Sequence, residues 1–234
     1  MLVAAAVCPC PPMLVPEIAS GAAPELDILR AACDRAVGAL LAAAPDMLWV
    51  VGPDAEHGSF DEGGVGSFRP YGVDLSVSLG RGGRDGGEPL PSSLALGAWL
   101  LERAGWEGPA RGLAVPDYLE PELCAANGVR LAESAARVAL LVLGEGSARR
   151  SVKAPGYLDE RAEEFDAVAA RGLATADAGR ELASMDDELA FELMASGRAP
   201  WQVLAAAAAG DHLAAELLYE DAPYGVGYFV AAWI

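Results

Sequence analysis

The segment Cys8-Pro9-Cys10-Pro11-Pro12 puts two thiols two residues apart, directly after the apolar run Leu2 to Val7. Residues i and i+2 of an extended chain share a face, so the two sulfurs can converge on one ion. Thiolates are soft ligands that favour Zn(II) or Cu(I) over harder ions. A third donor is His57, which follows a second apolar run, Met47 to Val51, and the turn Gly52-Pro53-Asp54. Cys10 and His57 are therefore candidate metal ligands, with Zn or Fe(II) as the candidate ion. Three ligands would leave the open position that catalytic metal sites keep. The opposite reading is packing: small thiols buried beneath a loop, with His57 hydrogen-bonded nearby. Cys33 and Cys124 fall on helix faces and read as core, and His212 reads as a solvated loop histidine in Gly210-Asp211-His212.

Other chemistries fail on spacing. There is no GxxxxGK[ST] phosphate loop, no GxGxxG after the first apolar run and no GxSxG elbow. Gly144-Glu145-Gly146-Ser147 follows the apolar run Val138 to Leu143 and reads either as an ordinary turn or as a set of N–H groups offered to an anion.

The elements that must position these residues alternate. Leu2 to Val7, Met47 to Val51, Leu113 to Val115 and Val138 to Leu143 read as strands buried on both faces. Apolar spacing predicts helices from Pro24, over Ser92 to Ala104, from Pro121, and around Asp159 to Leu173, Glu181 to Ala195 and Trp201 to Ala209. Val73 to Leu79 alternates as an edge strand with one wet face, and Val226 to Ala232 is the expected last strand. The stretch from Leu217 to Val230 is rich in tyrosine and glycine, and reads either as an aromatic pocket wall or as a packed strand entered by a tight turn. Gly80 to Gly87, with five glycines and no apolar residue, reads as a dispensable surface loop. The expected fold is α/β, a largely parallel sheet flanked by helices in one domain over residues 1–234, with its ligand crevice at the carboxyl ends of the strands. Cys8, Asp54, Ser147, Lys153 and Tyr224 are the expected pocket residues, and Cys10, His57 and Ser147 are expected to converge there.

In order and spacing these features resemble the class III extradiol ring-cleavage dioxygenases, in particular the LigB-like superfamily of their catalytic chains and the related Memo-like proteins. Cys8 to Pro12 resembles the Pro-His-Pro-Pro segment of that family. Gly52 to Phe60 resembles the part that carries a second metal histidine, and Val138 to Ser147 resembles the strand and turn before the catalytic histidine. The resemblance implies Fe(II) held by two histidines and a carboxylate, with a further histidine as acid/base. Carried over, the first ligand position is Cys10, the second is His57 and the catalytic position is Ala148. Glu216 and Glu220 lie near the expected carboxylate without matching its pattern. Alanine moves no proton, so ring cleavage by the family's route is not expected.

Composition bounds the rest. A net charge of -18 with 53% apolar residues describes a chain that buries a large core and is repelled by nucleic acid and anionic membranes. The fifteen arginines and the single Lys153 form no basic patch longer than Arg149-Arg150. Met1 to Val7 has no basic leader, and no apolar run reaches membrane-spanning length. Four cysteines in 234 residues are no disulfide framework, so the expected location is the cytoplasm. Three functions compete: a degenerate dioxygenase-like protein that binds a small molecule, an enzyme with an altered Cys/His metal site, and a non-catalytic partner or structural component, with a homodimer as an expected assembly.

Overall fold

The computed structural model describes residues 1–82, 87–175 and 181–234. In chain order the elements are β1 (Leu2–Cys8), α1 (Pro16–Ala19), α2 (Asp27–Ala42), β2 (Met47–Pro53), β3 (Gly58–Phe60), β4 (Val65–Ser67), β5 (Ser76–Ser78), α3 (Ser92–Arg103), β6 (Ala110–Val115), α4 (Pro121–Ala132), β7 (Val138–Leu143), α5 (Ala162–Ala174), α6 (Asp187–Glu192), α7 (Arg198–Ala207), β8 (Ala215–Asp221) and β9 (Tyr228–Trp233). Seven strands form one sheet in the order β3-β6-β2-β7-β1-β9-β8. The run β6-β2-β7-β1 is parallel, and antiparallel strands close it on both sides, β3 against β6 and β9 against β1. The protein is thus α/β, with a mostly parallel mixed sheet flanked by helices.

The apolar runs are central strands because both their faces are covered. Ala5, Val7, Leu140 and Val142 point into a core shared with α4, α5 and α7. Ala6, Cys8, Leu141 and Leu143 point into the opposite core under α2 and α3. The chain crosses the sheet in one direction from β1 through β2 to β6, then returns to β7, and α4 accordingly lies on the other face from α3. Adjacent strands β1 and β7 therefore send their following segments to opposite faces, and that divergence opens a crevice at their carboxyl ends. No helix among the described residues is long and apolar enough to cross a membrane.

Several expectations shift. The helix expected from Pro24 starts at Asp27, because the chain around Pro24 is wound as the 3-10 segment Ser20–Leu26, whose last turn closes with Asp27 N donating to Pro24 O. The Val73 to Leu79 strand shrinks to β5, which pairs with β4 in a separate two-stranded sheet. The helix expected over Glu181 to Ala195 contracts to α6: the Asp186 side chain accepts from Leu189 N at 2.7 Å and fixes its start, and Met194, at φ 55°, stands just past its end. Of the Gly80 to Gly87 loop, 83–86 lie outside the described residues. Its flanks do not look dispensable: Arg81 N donates to Glu62 Oε1 at 2.7 Å, and a Cβ on Gly80 would stand 2.7 Å from Ala110 N.

Helices α4 and α7 cross closely enough to need Gly128, where a Cβ would stand 2.3 Å from the Val203 carbonyl oxygen. A backbone oxygen cannot swing aside as a side-chain tip can. Gly128→Val is expected to lower stability by roughly 1–3 kcal/mol, as overpacking does. Urea unfolding of the chain checks this, and an unchanged midpoint would contradict the close crossing.

Candidate functional site

Residues 8 and 143 are paired neighbours on β1 and β7, and the strands end together, Gly144 N donating to Cys8 O at 3.2 Å. The segments that follow are thereby delivered side by side. The Glu145 carboxylate accepts from Cys10 N at 2.9 Å, from the Cys10 thiol at 3.7 Å and from Ser196 Oγ at 2.7 Å, while Glu145 N donates back to Ser196 Oγ at 3.1 Å. The approach of residues 196 and 197 requires glycine at 144, where a Cβ would stand 2.4 Å from Gly197 Cα, while a Cβ on Gly197 would stand 2.3 Å from the Trp201 ring. Burial, then the Glu145 charge and the hydrogen bond to it, push the Cys10 thiol well above its ordinary range. Cys10 is held as a neutral S–H donor.

Cys8 lies one layer deeper. It is fully buried against α2, where Cys33 is its hydrogen-bonding neighbour and raises its pKa, with burial adding to the effect. Burial also raises Tyr228 above the ordinary phenol range, with Glu145 and Cys10 among the charges that contribute. The sequence reading of Cys33 and Cys124 as core holds, both being fully buried.

The turn after β7 does not present free N–H groups to an outside anion. Gly146 N donates to Gly227 O, Ser147 N to Asp166 Oδ1 at 2.7 Å, and Ala148 N to Leu193 O. The anion is internal: Asp166 is 1% exposed, and its second oxygen pairs with Arg150 Nη1 at 2.9 Å. Burial raises its pKa, while the Ser147 N–H and Arg150 act against that rise. A Cβ on Gly146 or Gly227 would stand 2.5 or 2.3 Å from an Asp166 oxygen, so both glycines are needed to close around it. Gly227 N donates to Ser147 O and Arg150 N to Gly225 O, which latches the β8–β9 hairpin onto this turn.

The expected convergence is therefore partial. Cys10, Ser147 and the loops carrying Lys153 and Tyr224 come together at the carboxyl end of β1 and β7. Tyr224 donates to Glu25 at 2.8 Å, and Lys153 is exposed. His57 does not join them. It precedes β3, which sits at the sheet edge four strand positions from β1, a span of about 19 Å at ordinary strand spacing. His57 is exposed at that far side, and Asp54, directly after β2 and two strand positions from β1, is exposed as well. Among the described residues no group of three or more His, Cys, Asp and Glu side chains is placed to hold a metal. Cys8 and Ser147, being fully buried, line no open pocket. Glu216 and Glu220 lie on edge strand β8, on the outer side of β9. His212 is exposed. Glu145, Ser196 and Asp166 are not singled out by sequence reasoning. Only Glu145, a charge two residues past the end of a fully buried strand, carries a signal in the sequence.

No family model matches this chain, and no curated protein matches it. Among solved structures it is similar to the uncharacterized protein JW3007 from Escherichia coli K12, with a TM-score of 0.53 over 99% of each chain at 14% sequence identity. That likeness supports the fold.

Two outcomes follow for the buried thiols. Glu145→Gln removes a charge that holds the Cys10 proton, so Cys10 should be alkylated faster at mildly alkaline pH, read by mass spectrometry of iodoacetamide-treated protein. An unchanged or slower rate would contradict the contact. Cys8, Cys10 and Cys124, the last pushed by burial to about 11, keep their protons in the fold at pH values where unfolded thiols ionise. The stability they contribute is complete below about pH 8.5, the unfolded value, and is lost as pH rises through the folded values. Melting temperatures across that range should fall on the alkaline side.

Proposed function

We propose that this chain is a relative of the extradiol dioxygenases whose iron site has given way to a closed hydrogen-bonded cluster, and that it acts as a binding protein without ring-cleaving activity. The observation that carries this reading is the Cys10–Glu145–Ser196 cluster at the carboxyl ends of β1 and β7. The residues at the family's positions do not fit Fe(II) held by two histidines and a carboxylate. Cys10, at the first ligand position, spends both its N–H and its thiol on Glu145. His57, at the second, is four strand positions from β1. Ala148, at the acid/base position, is buried, with its N–H on Leu193 O and its carbonyl accepting from Gly156 N. The alternative of a joint Cys10/His57 metal site is disfavoured by the same separation.

Small-molecule binding then falls to a cleft of ≈ 410 Å³ beside the latched turn, lined by Arg150, Glu220, Asp221, Ala222 and Phe229. Its lining joins the Arg150 guanidinium, which also pairs with Asp166, to the Glu220 and Asp221 carboxylates, a polar set that suits a ligand carrying both an anionic and a cationic group.

Protein loaded anaerobically with Fe(II) and then exposed to air with protocatechuate or simple catechols is expected to give no ring-opened product, read as visible absorbance. Stoichiometric iron retained after gel filtration, or the yellow product, would overturn the reading.

A further inference from the structure

On the face of the sheet that carries α4, α5 and α7, the short helix α6 stands between two clefts. One, of ≈ 360 Å³, is lined by Tyr118, Asp187, Glu188, Phe191 and Glu192. The other, of ≈ 380 Å³, is floored mainly by Phe165, Val168, Met185 and Leu189. Ala190 is the one buried residue of α6, so the helix presents most of its surface outward. Phe191 is 59% exposed and Tyr118 63% exposed.

The neighbouring backbone is bent in the same sense. Met194 (φ 55°) and Tyr157 (φ 61°) both adopt the left-handed conformation, which costs a side-chain-bearing residue about 1 kcal/mol or more. They adjoin each other, since a Cβ on Gly156 would stand 2.7 Å from Met194 Sδ. Both nonetheless leave their large side chains substantially in solvent, Met194 at 47% and Tyr157 at 64% exposure. Strain that holds apolar side chains outward, continuous with two exposed aromatic rings, marks a surface built for contact.

Charge selects the occupant. Glu192 is paired with Arg161 at 2.7 Å, but among the described residues neither Asp187 nor Glu188 has an ion-pair partner. A second copy of this chain would bring the same carboxylates toward one another on a molecule already at -18. We propose that this face docks a basic amphipathic segment of another protein, with an arginine or lysine seated between Tyr118, Phe191 and the Asp187–Glu188 carboxylates and apolar side chains in the adjoining cleft. Aromatic faces and carboxylates together hold a guanidinium or ammonium group through cation–π and charge attraction. This inference uses none of the cluster around Cys10 and does not depend on the reading of the iron site.

The test is selection of a random-peptide phage library on the full chain, followed by fluorescence anisotropy with the synthesised winners. Enriched peptides should carry net positive charge with apolar anchors, and their binding should weaken as salt is raised. Phe191→Ser alters an exposed side chain, and the double variant Asp187→Asn, Glu188→Gln removes both charges without placing cations in the first turn of α6, so their melting temperatures should stay close to the parent. Each should weaken binding by about tenfold or more. The proposal is overturned if no peptide is enriched, if the winners are acidic or uncharged, or if they bind both variants as well as the parent. It is also overturned if sedimentation shows a dimer of the chain that Phe191→Ser dissociates, since the face would then belong to a second copy.

Discussion

The parallel pairing of β1 with β7 is the constraint on which the rest hangs. Its register sets Val7 beside Val142 and Cys8 beside Leu143, so the two chains leave the sheet together. Because the strands end level, with Gly144 N on Cys8 O, their first free residues meet at the mouth of the crevice before one departs toward α2 and the other toward α5. That is why Cys10 finds Glu145, 135 residues away in sequence. A one-residue slip would turn Cys8 out of its contact with Cys33 and carry Glu145 away from the Cys10 N–H.

The same junction explains the buried charge. A carboxylate removed from water must be compensated by hydrogen bonds, and Asp166 receives them from Ser147 N and Arg150. The glycines at 146 and 227 let two backbones close on its oxygens, and the hairpin between β8 and β9 is fastened to the turn after β7 as a result. A turn that resembles an anion cradle thus holds an anion from its own chain. The glycine spacing invites the cradle reading, but the N–H groups are committed to long-range partners that no local pattern reveals.

Much of the architecture is legible in the sequence because it rests on burial. Leu2 to Val7, Met47 to Val51 and Val138 to Leu143 are apolar without interruption, which only a strand covered on both faces requires, and they form β1, β2 and β7. Pro121 opens α4 as a first-turn proline should. The edge strands are less visible. β3 is three residues long, and β8 mixes Glu216, Glu220 and Asp221 with apolar residues because it has only one neighbouring strand. The site is legible by half. That Cys10 lies at a strand end can be read locally, whereas His57 looks equally well placed until β3 adds itself outside β6 and carries it to the far edge. Strand order is set by long-range pairing, and a loop that follows an apolar run carries no mark of which edge it will reach.

The claim at the centre is that Cys10 belongs to Glu145 and not to a metal shared with His57. A crystal structure of the protein grown with saturating Zn(II) tests it most directly. The Cys10 N–H and thiol should remain on the Glu145 carboxylate, with His57 at the outer edge of the sheet beyond β6. A single ion bound by both Cys10 Sγ and the His57 imidazole would contradict it.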